Sequence, residues 1–544
     1  MIRRILQILI TVVCVSLLAI APAAAQTPPD AGRILEEIEP DQVRPTEPSE
    51  DIETEEPAPA EEGEEGEATV QLESIVFEGN TVFSDAVLQE TLPDDLFTEP
   101  RDLGGLRALA RTVTRHYREA GYPFAMAFVP AQKLEEGKLT IRVLEGRYGR
   151  VTTEGEDEKL TKFADDFLTP LQPGEVIDGP ELERTTLILG DQPGVSIRPV
   201  LAPGEETGTG DLRVGVSEAQ RVTGGVSVDN HGNRYSGEWR TRANLGINRL
   251  LIPGDQLQIE GLYTEEDMWL GGLRYGAPLG SSGLRGHARY ARTEYDLKSP
   301  FEGFIGTTDI AEAGAIYPLI RSQQLNLDLT ASYRFKDLSN EVQGFEYDAR
   351  KIHSLPVGLR FDNRDELAGG GITFGSLTLT PGRVDADVGG GLDSGFTKVE
   401  GQVARQQRLP GNLQVFARLQ GQWTDVPVPS AEAMSLGGAR GVRAYPQGEG
   451  TGSRGILMRT ELRRPFTELP AGRWTPFTFF DAGGIQGWKD ESSRSIAGGG
   501  LGLRWLLDGW QAEVATAWKS NGGDPRSDSK SRSPRAWFEL GYRF

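Results

Sequence analysis

Cysteine and histidine are nearly missing from this chain. Its only thiol is Cys14, and its four histidines (His116, His231, His287 and His353) are scattered along 544 residues. A disulfide framework and a cysteine-based metal site are therefore excluded, and no two histidines stand at ligand spacing. There is no GxxxxGK[ST] stretch to cradle a nucleotide phosphate and no HExxH to hold zinc. GTGSRG at 450–455 matches GxGxxG, but an alternating strand follows it and none precedes it, the reverse of a dinucleotide site. The expectation is a protein that is not an enzyme and needs no cofactor and no metal. With a net charge of −23 and no dominating basic patch, nucleic acid is not an expected partner.

Long apolar runs are missing too, except at the start. Arg3 and Arg4 precede the apolar residues 5–20, and Ala23 and Ala25 supply a small-residue cleavage site. That is the pattern of a secretory signal peptide over 1–25, with an uncleaved anchor as the alternative. No later run reaches the roughly 18 apolar residues of a membrane helix. This leaves two classes open: a soluble periplasmic protein, or an outer-membrane barrel whose strands hide their apolar half in alternation.

Segment 26–40 holds one short amphipathic helix, with Ile34, Leu35 and Ile38 at i, i+1 and i+4 between Pro29 and Pro40. Alone it is marginal, so it docks or frays. Segment 41–69 is acidic. From Glu36 to Glu67 there are 15 acidic side chains against Arg44 alone, too few bulky apolar groups to fold, and the expectation is an unfolded, self-repelling linker.

Folded texture begins at Val70. VQLESIVFEGN is strand-like. Leu103, Leu106, Ala110, Val113, Tyr117 and Ala120 then follow a 3.6 period that Gly121 ends, and two strands close the unit. The same order of strand, helix, helix, strand, strand recurs. Residues 70–147 and 148–218 thus read as two copies of one α+β module.

From 219 to 544 the period is two. In LNLDLTASYRFK, Leu325, Leu327, Leu329, Ala331, Tyr333 and Phe335 share one face and polar residues share the other. EWRTRANLGI, LQVFARLQGQW and ILMRTEL split in the same way. A soluble sandwich alternates as well. Arginines and acids on the polar face, Tyr and Trp near strand ends, and a final strand that alternates up to Phe544 favour a barrel. At roughly 20 residues per strand and turn, this region makes about 16 antiparallel strands, an all-β transmembrane barrel behind two α+β domains.

GGARGVRAYPQGEG at 437–450 is a long glycine-rich loop carrying Arg440 and Arg443. With these residues the chain resembles the outer-membrane transporters of two-partner secretion, of the haemolysin-activator and filamentous-haemagglutinin transporter type. Each module resembles a POTRA (polypeptide-transport-associated) domain. The second does so through LERTTLILGDQPGVSIRPVLAPGEETGTGDLRVGV. The hairpin with Asp229, Asn230, Gly232, Gly237, Gly254 and Asp255 is similar to the family's first barrel hairpin. The loop resembles the family's sixth extracellular loop, whose tip reads Val-Arg-Gly-Tyr/Phe; here it is Val442, Arg443, Ala444 and Tyr445. FTFFDAGG at 477–484 matches the inner-wall Phe-x-Asp-x-Gly pattern with Phe479, Asp481 and Gly483.

The resemblance implies that Arg443 meets Asp481 in the lumen. Arg440, which no motif singles out, reads as a solvated loop charge. The resemblance also implies a helix at Ile34, Leu35 and Ile38 that plugs a pore with porin activity, and Phe544 as the signal read by the barrel-assembly machinery during insertion. It further implies export of a large secreted exoprotein client, bound by the POTRA domains, through an outer-membrane barrel bathed in lipid, without nucleotide hydrolysis. Two alternatives stand beside this reading. One is an assembly and insertion factor for other barrels, whose relatives usually carry three or five POTRA domains. The other is a plain diffusion porin.

Overall fold

The computed structural model describes residues 29–38, 44–46, 52–54, 69–388, 394–466, 471–486 and 493–544. The expected signal peptide and most of the 41–69 linker lie outside these residues. Helix α1 (Ala31–Ile38) comes first, followed by a short strand β1 (Glu53–Thr54).

The first module runs β2 (Ser74–Glu78), α2 (Asp85–Glu90), α3 (Leu103–Glu119), β3 (Met126–Phe128) and β4 (Lys138–Leu144). Strand β4 is central, parallel to β2 and antiparallel to β3. Asp102 caps α3 by accepting the Gly105 N–H at 2.7 Å. The apolar stripe Leu106, Leu109, Ala110, Val113 and Tyr117 packs against Leu139, Ile141 and Val143 of β4, and Gly121 ends the helix at φ +100°.

The second module repeats this order with β5 (Arg147–Glu154), α4 (Glu158–Leu168), α5 (Gly179–Gly190), β6 (Val195–Pro203) and β7 (Thr209–Glu218). Strand β7 is parallel to β5 and antiparallel to β6, so the two sheets share one topology. The second sheet has an extra member: β1 lies parallel on the outer edge of β6, with Glu53 opposite Val200 and Thr54 opposite Leu201. The expectation of an unfolded 41–69 linker therefore fails at 52–54. Ile52 packs on the module's core, the Arg198 guanidinium lies 2.9 Å from both carboxylate oxygens of Glu53, and an open strand edge supplies backbone partners that composition does not reveal.

Sixteen antiparallel strands, from Val222–Asp229 to Arg535–Arg543, close into a barrel. One of them is interrupted. Phe345–Ser354 and Val357–Asp365 lie between the same two neighbours, broken at Leu355 and Pro356. Proline has no N–H for the ladder, yet the Pro356 carbonyl still accepts from Ser332 N at 3.0 Å. The last strand pairs with the first, Leu540 opposite Val228 and Tyr542 opposite Val226. Phe544 and Gly224 complete the seam with two backbone hydrogen bonds of 3.0 Å. Closure leaves no unpaired edge, the condition for a sheet to span lipid.

The period-two pattern sorts as the sequence predicts. Leu325, Leu329, Tyr333, Trp239, Leu419, Trp423 and Ile456 are exposed on the outer face, while Asn326, Lys336, Arg240 and Gln422 are buried inside. The tight strand connections meet the second module. Arg321 holds Asp191 at the end of α5 with bonds of 2.6 and 2.8 Å, and Arg184 Nη2 donates to the Pro318 carbonyl at 2.6 Å.

Candidate functional site

The long loop between strands Leu413–Thr424 and Arg454–Arg463 turns into the barrel. Its Leu436, Val442, Ala444 and Tyr445 form one buried cluster with Leu457, Phe477, Phe479, Ile496 and Trp537 of the inner wall.

Among the described residues Arg443 is the largest fully buried side chain, 1% exposed, and Asp481 is 0% exposed. The structure brings them together as a fork: Nε donates to Oδ2 and Nη2 to Oδ1, each at 2.8 Å. The Arg443 backbone N–H adds a bond of 3.2 Å to Oδ2. Nη1 turns to a second carboxylate, Glu461 Oε1, at 2.6 Å. Planar guanidinium matches carboxylate in this two-pronged way, and an ammonium cannot. The Phe479 ring lies under the guanidinium, 3.5 Å from Cζ to its centroid, and Trp537 Nε1 donates to the Arg443 carbonyl at 2.7 Å.

Neighbouring tip residues fix the loop on either side. Val442 N donates to Leu436 O at 2.7 Å, and the Tyr445 hydroxyl lies 2.7 Å from the Asn521 carbonyl. Ala444 does not adopt the left-handed conformation, so alanine is accommodated there. Its methyl fills the space over Gly498, where any Cβ would lie 2.3 Å away. Gly483 is needed for a similar reason, since a Cβ on it would come within 2.8 Å of Leu436 Cδ2. Arg440 lines the lumen cavity, and its backbone carbonyl accepts from Arg459 Nη1 at 2.7 Å.

Helix α1 lies inside the barrel. Asp30 begins it, accepting the Arg33 N–H at 2.9 Å, and Ala31 N donates to Asn340 Oδ1 at 2.8 Å. Ile34 is buried with Tyr235, Leu262, Leu270, Ile310 and Ile352. The backbones of Leu35 and Ile38 belong to α1, while their side chains lie outside the described residues. The helix also rests on the loop. Ser430 Oγ donates to Asp30 Oδ1 at 2.6 Å, and Arg33 Nη2 donates to Gly448 O at 2.8 Å. Phe544 is on the outer face at the barrel seam, exposed. Among the described residues, no three His, Cys, Asp or Glu side chains are grouped to hold a metal.

The sequence pattern of the family described as haemolysin secretion/activation protein ShlB/FhaC/HecB matches residues 208–505. The chain belongs to this family. A ShlB-type POTRA domain matches residues 70–146. Curated relatives include the heme/hemopexin transporter protein HuxB of Haemophilus influenzae strain 86-028NP, 27% identical over 72% of this chain and 71% of the relative. The hemolysin transporter protein ShlB of Serratia marcescens is 25% identical over 82% and 81%. The solved structure of CdiB from Escherichia coli superposes with a TM-score of 0.74 at 20% identity, covering 90% of this chain and 93% of that one. Membership makes this chain an outer-membrane β-barrel translocator of two-partner secretion, with its POTRA region in the periplasm.

Three loop-anchoring carboxylates escaped the sequence analysis of this family member. Glu461 carried a signal, because it stands on the lumen face between Arg459 and Arg463. In the fold it also accepts from Arg463 Nε at 2.8 Å and Arg504 Nη1 at 3.0 Å. Glu432, in a single 3-10 turn of the loop, sits 2.9 Å from Lys336 Nζ and 2.6 Å from Lys398 Nζ. Glu449 accepts the backbone N–H groups of Arg526 and Ser527, both at 2.8 Å, and pairs with Arg494. Nothing in PSAEAM or QGEG marks these two acids, because their partners are distant in the chain.

Proposed function

We propose that the chain exports one large exoprotein from the periplasm to the cell surface, that both α+β modules are POTRA domains capturing an unfolded segment of this client, and that α1 and the inward loop keep the lumen shut until it arrives. The observation that carries this reading is an N-terminal helix and a long loop 400 residues further along the chain, joined to each other inside one barrel. In a plain porin such a plug has no use.

Capture by strand addition suits the β6 edge, where backbone hydrogen bonds bind and side-chain pockets select. In the resting chain β1 occupies that edge, so an arriving client strand competes with it. The outer apolar belt contacts membrane lipid. Insertion is assigned to the barrel-assembly machinery acting on the terminal strand and Phe544, after removal of residues 1–25. The drive for export is folding of the client outside the cell. The protein is not an enzyme in this reading, and nucleic acid has no part in it.

Depletion of the protein followed by comparison of the medium tests the assignment. Loss of one large exoprotein with the outer-membrane barrel complement intact supports export. General loss of outer-membrane barrels supports an insertion factor instead.

A further inference from the structure

The cavity in the lumen has an excess of positive charge in a chain whose net charge is negative. The whole chain has a net charge of −23, yet the residues lining the cavity of about 850 Å³ inside the barrel include nine Arg or Lys and only four Glu, with no Asp. Some of these cations are neutralised locally: Arg334 holds Glu312 at 2.7 Å and Arg289 holds Glu260 at 3.1 Å. Others are not. Among the described residues, no carboxylate oxygen lies within 4.0 Å of Arg274 or of Arg360, although Asp328 is the cross-strand neighbour of Arg360. Arg274 also stands directly opposite Arg289 in the strand ladder. Like charges opposed across a ladder are destabilising, so the wall gives up stability to keep them there.

A narrow, low-dielectric passage lined by one sign of charge concentrates ions of the other. We infer that the lumen wall is a binding surface for acidic, unfolded polypeptide, so that the segment of client in transit is anionic and the opened pore selects anions. The inference rests on reading the barrel as a polypeptide conduit. A neutral wall would gain nothing from acidic cargo, and a basic client would be repelled by Arg274 and Arg360 along its path.

Planar-bilayer recording on the full chain, opened by the point variant Ile34→Asn, tests this without any client. In a KCl gradient the reversal potential should have the sign that marks chloride as the more permeant ion. Poly-L-glutamate should block the current and poly-L-lysine should not. Block should weaken about tenfold from 0.1 to 1 M KCl, as the Debye length falls from about 10 to about 3 Å. Arg274→Glu with Arg360→Glu should move selectivity toward potassium and remove the block, and Arg274→Gln with Arg360→Gln should do so in part, in protein that still shows heat-modifiable mobility. Potassium selectivity of the unsubstituted wall, or equal block by both polymers, overturns the inference. Failure here leaves export untouched, whereas failure of export with anion selectivity intact removes the conduit reading alone.

Discussion

Arg443 reaches Glu461 as well as Asp481, with its Nη1 2.6 Å from the Glu461 carboxylate while Nε and Nη2 grip Asp481. Both acids project inward from adjacent strands, Arg454–Arg463 and Arg473–Gln486. The loop is thus fastened to two neighbouring staves of the barrel by one side chain. Desolvating three charges offsets much of their attraction. What the arrangement supplies is a single position for the loop, because a planar fork held by two converging carboxylates is fixed in direction as well as in distance.

Removing Arg443 takes the fork from the buried Asp481 carboxylate, and removing Asp481 leaves Arg443 with Glu461 alone, at a cost of up to about 3–5 kcal/mol in a dry site. Arg443→Ala and Asp481→Ala are therefore expected to abolish secretion while the barrel still assembles, read by exoprotein in the medium and by heat-modifiable mobility. Arg443→Lys keeps the charge without the fork and should secrete weakly. Glu461→Ala takes a carboxylate from Arg443, Arg463 and Arg504 at once, although Arg504 keeps Glu513 at 2.6 Å, so its barrel should unfold at a lower temperature than that of Arg443→Ala. Normal export by both Arg443→Ala and Asp481→Ala would remove the loop from the mechanism.

The plug makes a second expectation sharp at Gly32. A Cβ there would lie 2.3 Å from Ser430 Oγ and 2.4 Å from Ala431 N, and part of that contact is backbone that cannot step aside. Gly32→Val should therefore expel α1 without altering the lumen wall and raise single-channel conductance, as should deletion of residues 29–40. Unchanged traces for both would show that the helix does not occlude the pore.

How much of this could be read in advance depended on the range of the forces involved. The barrel was legible because alternation is local: Leu325, Leu329 and Tyr333 announce a lipid face within nine residues. The periplasmic repeat was legible because helix and strand periods switch in the same order twice. Arg443 and Asp481 stood out only through their resemblance to the family's loop-tip and inner-wall patterns. The docking of β1 on β6 was hidden, since a two-residue strand in an acidic run has no periodicity and depends on an edge about 145 residues away, the separation of Glu53 from Arg198. The Lys336–Glu432–Lys398 group was hidden for the same reason. Three unremarkable charged residues acquire meaning only when the loop folds inward.

Competition at the β6 edge can be tuned through Glu53 and Arg198. Both are exposed, so their ion pair contributes only about 0–1 kcal/mol, up to about fivefold in affinity. Arg198→Glu should loosen β1 and raise by that factor the affinity of the periplasmic modules, in the full-length protein, for the secretion-signal segment of the client. Glu53→Arg combined with Arg198→Glu should restore the original value, and deletion of residues 52–54 should exceed the single substitution. Affinity that does not change on deletion would show that β1 does not guard the edge.

Acid should loosen the first module through Glu145. This carboxylate is buried where β4 leads into β5, and it accepts from Val82 N at 2.8 Å, Tyr117 Oη at 3.0 Å, Arg147 Nη2 at 3.0 Å, and both Thr81 N and Oγ1. Burial alone would raise its pKa, but the hydrogen bonds from Thr81, Val82 and Tyr117 outweigh it and hold the group below the ordinary glutamate value of 4.5. Burial and the same carboxylate push the Tyr117 phenol up. A group whose folded pKa is depressed stabilises the fold fully above its unfolded pKa, and that stability drains away as pH falls through the folded value. Amide-exchange protection of residues 81–147 in the full-length protein, corrected for intrinsic rates, should therefore be level above about pH 5 and fall below 4.5. Glu145→Gln should show reduced protection at neutral pH and lose this acid-dependent fall. A wild-type profile that stays flat below pH 4, or a Gln variant that keeps the full slope, would place the acid sensitivity elsewhere in the module.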